Sequence, residues 1–551
     1  MVAKVVSAEE AVSLIKDGAT ITLSGIGGTM LPEQVASALE MRFLTEGHPK
    51  DIFWFDPSPT GAGPGFEHLS HEGLLKRVIG SWFVPMPNLI AMIKANKVEA
   101  YSYPLGTAHF VVREIAAGRK GYLSKVGLHT YIDPRQGGAR LNTRTTEEML
   151  EVREFGGEEW LWYKGFPIDV AIIRGTTADE VGNIGYEEET LSLSALNQAQ
   201  AARSSGGIVI AQVKRRARKG AIHPRHVLVP GWLVDYIVVD PSQPQSANFP
   251  DRHIDGVNGG LLVQEPSITV YPLNADKLAG RRATLELRPG DVINAGAGVA
   301  LSGLAPVSRE EGIAPLYTMT VEHGNISGLH GGFYGGAVSG GMIVNPTYMP
   351  DYISLFHHYF GGNLASCYLA MAQVDKEGNN NLNYFGGVLS GPGGAIDIAQ
   401  GTRRVVFCGP FTANGLQVEA KGGRLRILRE GSITRFVNRV DQICFNGRDF
   451  WAMGKEVLYV TERAVFRLTA KGIELIEVAP GIDVERDVLG RMEFRPEISP
   501  QLKQMDPRIF DAGPMGLHRD WTGTPFVPNV ELVPGETFSY GPQLAWQREQ
   551  K

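Results

Sequence analysis

The sequence predicts an α/β protein of two tandem related halves, each a largely parallel sheet with flanking helices. Three observations lead there. The 551 residues suit two large α/β units, or two to four domains of ~150 residues. The chain opens on a helix, a strand, a glycine loop and a second helix, and pieces of the first half return in the second.

The opening elements follow from local chemistry. Ser7 and Glu10 form a capping-box pair ahead of Ala11, Val12, Leu14 and Ile15 at helical spacing, and Gly18 ends that helix. Residues 20–23 read as a strand running into Gly25, Gly27 and Gly28. Pro32 then sits where a first helical turn accepts it, with Val35, Leu39 and Phe43 on one face. Such a loop brings backbone N–H groups close to an anion, and is equally a tight α/β turn.

Internal echoes come next. Asp179-Glu180-Val181-Gly182-Asn183 returns as Asp375-Lys376-Glu377-Gly378-Asn379, and each is followed by an apolar run, 208–213 and 405–409. Asp17-Gly18-Ala19-Thr20-Ile21 resembles Pro289-Gly290-Asp291-Val292-Ile293, which leads into Gly296 and Gly298. The first half carries a long insertion between its echoes, and the junction falls near 273–282. The stretch after about Asp506, rich in Pro, Gly and aromatics, reads as a tail that wraps the surface or a neighbouring subunit.

Composition excludes several classes. With 53 Lys+Arg against 59 Asp+Glu the net charge is −6, which argues against general nucleic-acid binding. The 67 glycines show no triplet period, so a collagen reading fails. Three scattered cysteines, Cys367, Cys408 and Cys444, make neither a disulfide framework nor a zinc site, and point to a reducing cytoplasm. The acidic residues Glu9, Glu10 and Asp17 do not fit a secretory leader, and no run reaches the ~20 apolar residues of a membrane span.

Most candidate chemistry has a plain structural alternative. The basic run 214–219 with His223 and His226 suits phosphate or is a solvated face. His323, His357 and His358 lack partners at metal spacing, so no metal is expected. Glu322 is different. Residues 317–321 read as a buried strand, and Glu322 stands at its carboxyl end, entering the glycine-rich stretch 323–332; strand carboxyl ends are where α/β sheets bind ligands. A carboxylate there suits covalent catalysis, the alternative being a surface glutamate in a turn.

Several segments together carry a resemblance: Val321-Glu322-His323-Gly324, the loop 25–32, residues 361–369, 375–379, Gly391-Pro392-Gly393-Gly394-Ala395-Ile396-Asp397 and 475–483. In this order they resemble the family I CoA-transferases, in particular the fused-chain acetate and propionate enzymes. The resemblance runs from about Ser7 to Asp511. It implies domains at 1–275, like the separate α subunit of relatives, and at 283–511, like their β subunit and carrying the nucleophile, with 512–551 as a tail. It also implies ping-pong transfer of CoA from an acyl-CoA to an acceptor carboxylate through a glutamyl-CoA thioester on Glu322. Gly393 and Gly394 match the backbone oxyanion donors; Asn294, Gly296 and Gly298 match the CoA-binding loop; Gly27, Gly28, Leu105 and Asn325 fall in the substrate pocket. CoA is then a substrate and no cofactor is expected. Partners are acyl-CoA and a carboxylic acid, without nucleic acid or membrane, in a cytoplasmic homo-oligomer for which a tetramer is one expected form. The phosphates of CoA call for basic residues near the site despite the acidic whole.

Departures from the pattern surround the nucleophile. Relatives usually carry Pro-Gln-Gly where this chain has Pro104-Leu105-Gly106, and the leucine side chain cannot replace the glutamine as a second oxyanion donor. His109 or Asn325 is then a candidate substitute, or the pocket serves a larger or more apolar acyl group. Asn325-Ile326-Ser327-Gly328 and Asn363-Leu364-Ala365 also depart from the usual residues. Two alternatives stay open: an acyl-CoA thioester hydrolase on the same scaffold, and a non-catalytic acyl-CoA-binding protein.

Overall fold

The computed structural model describes residues 2–58, 60–61, 67–247, 253–265, 267–329, 343–385 and 387–535. Residues 330–332 of the glycine-rich stretch after Glu322 lie outside them, as does the end of the tail.

The opening helix, α1 (Ala8–Ser13), carries the full capping box: the Glu10 N–H donates to Ser7 Oγ (3.1 Å) and the Ser7 N–H to the Glu10 carboxylate (2.8 Å). The first sheet contains β1 (Lys4–Val5), β2 (Thr20–Leu23), β3 (Ile52–Asp56), β4 (Leu75–Gly80), β5 (Glu99–Ser102), β6 (Val170–Asp179), β7 (Ile208–Ala217) and β8 (Tyr236–Val239). Their spatial order is β1-β8-β7-β6-β2-β3-β4-β5, and these neighbours pair in parallel. β6 is buried along its whole length, as expected for a central strand covered on both faces.

The second sheet repeats the plan with β9 (Val292–Ala295), β10 (Thr318–Thr320), β11 (Ser366–Ala370), β12 (Arg404–Cys408), β13 (Glu456–Val460), β14 (Ala464–Thr469), β15 (Gly472–Val478) and β16 (Glu497–Gln504). The order is β10-β9-β11-β12-β13-β14-β15-β16, parallel up to β13 and antiparallel through β14 and β15. β10 is shorter than the expected strand 317–321 and lies at the edge, so Glu322 follows its last residue by two positions.

Among the helices, α2 (Glu33–Glu46) follows the first glycine loop, with Pro32 immediately before it. Next come α3 (Leu105–Ala116), α4 (Ala195–Ser204) and α5 (Ala275–Thr284). The junction stretch 273–282 is thus largely helical, and Leu278, Ala279 and Ala283 of α5 join the core of the second sheet. Two helices of the second half matter most below, α6 (Tyr352–Phe360) and α7 (Ala395–Gly401). The tail is tied down: Arg281 donates to the carbonyls of Ile509, Asp511 and Gly513, and residues Glu531–Pro534 pair in parallel with Ser267–Val270. No helix among the described residues is long and apolar enough to cross a membrane.

Candidate active site

A cavity of about 600 Å³ opens at the carboxyl ends of β9, β11 and β12, the edge where α/β sheets receive ligands. Both halves build it. Ile26, Trp82 and Leu105 come from the first; Gly296, Gly298, Glu322, His323 and the segment 390–393 come from the second.

Glu322 is held from behind. The Tyr359 hydroxyl, on α6, donates to Thr320 Oγ1 (2.9 Å) and accepts from Asn294 Nδ2 (3.2 Å), which pins the end of β10. The Val321 N–H donates to the Asn325 carbonyl (3.3 Å), closing the turn. The Glu322 side chain, 21% exposed, accepts the Gly394 N–H at Oε2 (2.6 Å). Burial pushes its carboxyl up to about 7, and the Gly394 N–H only partly offsets this by favouring the charged form. His323 Nε2 lies 4.0 Å from the other oxygen. Burial lowers that imidazole to about 4, so it is neutral at pH 7.

The two glycines opposite are there for room. A Cβ on Gly394 would fall 2.6 Å from Glu322 Oε2, and one on Gly393, at φ +52°, would lie 3.2 Å from Oε1. A carboxylate meeting a backbone N–H in an apolar cavity is equipped to attack a carbonyl, and the same N–H suits an oxyanion on the resulting tetrahedral carbon.

The geometry places the residues that the sequence singled out. Gly393 and Gly394 are not equivalent donors: the Gly393 N–H is spent on the Ser81 carbonyl (2.9 Å), leaving only Gly394 directed at Glu322. Gly296 and Gly298 line the cavity, whereas Asn294 is buried behind it and supports Tyr359. Gly27 and Gly28 do not line it either; their neighbour Ile26 does, and Gly28 ties the loop to Ala247 through its carbonyl (2.8 Å). Leu105 lines the cavity. Neither candidate replacement donor reaches the wall. Asn325 is fully buried in the turn after Glu322, and His109 is bonded to Ser58 Oγ (2.7 Å), stacked on Tyr352, and lowered to about 3 by burial.

The basic run 214–219 lies apart from the cavity, with Lys214 and Arg215 both paired to Glu188. All three cysteines are core residues whose thiols burial pushes up to about 12. Sequence reasoning missed Trp82, Phe385 and Val388, which no motif marks, and the pair Asp276 and Arg435 on the cavity wall. Among the described residues, Arg435, whose guanidinium donates to the Met371 carbonyl, is the one arginine or lysine of that lining.

Two parallel-rich sheets with a carboxylate delivered to the cleft between them define an α/β enzyme suited to acyl transfer. Comparison with known proteins makes this specific. Residues 5–240 match the Coenzyme A transferase family model. The chain is 39% identical over 517 residues to acetate CoA-transferase YdiF of Escherichia coli K12, covering 93% of this chain and 96% of that one. It is 40% identical over 527 residues to caffeate CoA-transferase of Acetobacterium woodii, with 94% and 99% covered. The crystal structure of the acyl-CoA transferase YdiF apoenzyme from Escherichia coli O157:H7 superposes with a TM-score of 0.88 at 37% identity, over 97% of this chain and 98% of that one. A YdiF thioester complex with CoA matches with the same TM-score of 0.88. The chain belongs to the CoA-transferase family, and it moves CoA from an acyl-CoA to an acceptor carboxylate.

Proposed function

We propose that Glu322 is the nucleophile of this transfer, and that the pocket favours acids with an apolar body larger than acetate. The carrying observation is the Glu322 carboxylate on the Gly394 N–H, 2.6 Å away, at the end of an edge strand and inside the cavity. One Glu322 oxygen attacks the thioester carbonyl, giving a mixed anhydride and CoA thiolate. The thiolate attacks the glutamyl carbonyl, expelling the first carboxylate and leaving glutamyl-CoA. An acceptor carboxylate then attacks that thioester, and returning thiolate takes the new acyl group, restoring the Glu322 carboxylate. One thioester is exchanged for another, so no ATP and no cofactor enter. The neutral His323 puts no second charge beside the carboxylate.

The acyl preference rests on the wall. Trp82, Leu105, Leu382, Phe385 and Val388 present apolar surface, and Leu105 stands where relatives usually carry a polar glutamine. Apolar burial rewards each added methylene by ~1–3 kcal/mol. The test is a series of straight-chain and aromatic acids as acceptors, read as kcat/KM in the native protein and in Leu105→Gln. The native protein is expected to prefer the bulkier acids. The glutamine, adding a donor and removing apolar surface, should shift the ratio toward acetate and propionate by ~10-fold or more. An unchanged ratio overturns the assignment of Leu105, and free CoA released without any acceptor marks a hydrolase instead. The same reading carries a cytoplasmic homo-oligomer, a tetramer being the form to look for by light scattering.

A further inference from the structure

The first turn of α3 and the loop before α7 meet across the two halves, and the contact reaches the nucleophile in one step. The peptide linking Gly393 to Gly394 is engaged at both ends. Its oxygen accepts the Leu105 N–H (2.8 Å), and its N–H donates to Glu322 Oε2 (2.6 Å). A peptide unit is planar, so holding its oxygen fixes where its N–H points. A carbonyl that accepts a hydrogen bond also makes the N–H of the same unit a stronger donor.

What holds the Leu105 end is a side chain from the other half. Pro104, the residue before α3, has no side-chain acceptor, so the first N–H groups of the helix lack a local cap. Asp397, fully buried in α7, supplies it. The N–H groups of Gly106 (2.8 Å) and Thr107 (2.9 Å) and the Thr107 hydroxyl (2.7 Å) all donate to its carboxylate. Three consecutive backbone donors of α3, from 105 to 107, are thus spent on the segment 393–397. A buried carboxylate without a cation is costly unless its oxygens are satisfied, and here helix donors satisfy them.

We propose that Asp397 and the backbone N–H of Leu105 are positioning groups for catalysis, setting the Gly393–Gly394 peptide so that its N–H meets Glu322 and the oxyanion formed there. The inference rests on Glu322 being the nucleophile. Leu105 then has two separate roles, its side chain toward the acyl group and its N–H toward the peptide.

Leu105→Pro and Leu105→Ala separate them. Proline deletes the N–H along with the leucine side chain in a first helical turn that tolerates it, and Pro104, at φ −63° and ψ 137°, already has the conformation favoured before proline. Alanine keeps the N–H and loses a comparable side chain. The expected result is a kcat for the proline variant ~10-fold or more below that of the alanine variant, from weakened oxyanion donation, with KM within about twofold. Asp397→Asn, which replaces one acceptor oxygen by a donor, should lower kcat in the same way with KM held, and should slow the appearance of enzyme-bound CoA in a single turnover. Rates are taken per active site titrated by that adduct, so a loss of folded protein alone would not move them. Equal kcat in the proline and alanine variants, or an Asp397→Asn protein that loses only thermal stability, overturns the proposal. Absence of the adduct in the native protein would instead refute the assignment of Glu322. If the proline variant does not fold, Asp397→Asn decides alone.

Discussion

The two copies of the Asp-x-x-Gly-Asn turn are nearly superposable in their bonding. In the first, Asp179 accepts the N–H groups of Val181 (3.0 Å) and Asn183 (2.9 Å) and the Asn183 side-chain amide (3.0 Å), while Asn183 Oδ1 accepts the Gly231 N–H (2.9 Å). In the second, Asp375 accepts the N–H groups of Glu377 and Asn379 (both 3.0 Å) and the Asn379 amide (2.9 Å), and Asn379 Oδ1 accepts the Gly447 N–H (3.0 Å). Each turn places its glycine at positive φ, +88° at Gly182 and +80° at Gly378. Glu322 and the segment 393–397 have no such counterpart among the echoes. Repetition here marks scaffold, and the proposed chemistry sits where the halves differ.

The comparison predicts the largest effect at the unrepeated carboxylate. Glu322→Ala should lose ~10⁴-fold or more in turnover while remaining folded, as expected on removal of the proposed covalent nucleophile. A variant as active as the native protein would break the contrast between the halves.

A second effect is the pH dependence of the same group. With its carboxyl raised to about 7, Glu322 as the proposed nucleophile has to lose a proton before it attacks, so kcat/KM should fall about tenfold per pH unit below that value and level off above it. Burial also raises Asp397 to about 7, opposed by its Thr107 and Gly106 donors, with a smaller rise from the Glu322 charge. Stability runs the other way. A carboxyl raised on folding binds its proton in the folded chain where the unfolded chain has lost it. Its favourable contribution is complete below the ordinary carboxyl value and is lost as pH rises through about 7. Glu322→Gln should therefore melt above the native protein at pH 8 and level with it near pH 4. A flat rate profile from pH 5 to 8, or a difference in melting of opposite sign, would contradict the burial of Glu322.

The smallest effect on turnover belongs to the repeated aspartates. Asp179→Ala removes an acceptor of three hydrogen bonds and Asp375→Ala one of four, the fourth from the Val440 N–H (3.4 Å); each should cost ~2–4 kcal/mol of stability, with kcat per folded active site within about twofold of native. Activity lost in one variant at unchanged melting temperature would make that turn part of the site.

What was legible in the sequence follows the same division. The capping box at Ser7, the strand 20–23, the paired echoes and the strand-end position of Glu322 are local patterns, set by hydrogen bonding and periodicity within a few residues. The fate of individual N–H groups was not legible. Gly393 and Gly394 are neighbours with identical side chains, and only the approach of Ser81 and Leu105 from the other half separates their roles. Trp82, Phe385 and Val388 reach the cavity through long-range packing that no motif encodes. The buried positions of Asn294 and Asn325 were not legible either, because a polar residue beside a functional loop reads the same in sequence whether it faces a cavity or braces the turn behind it.

The most direct test of the central claim is to incubate the enzyme with an acyl-CoA and no acceptor, quench it in acid, and map bound CoA by peptide mass spectrometry. CoA is expected on the peptide containing Glu322, disappearing when an acceptor carboxylate is added before the quench. Turnover without any such adduct, or an adduct carried by another residue, would contradict the account.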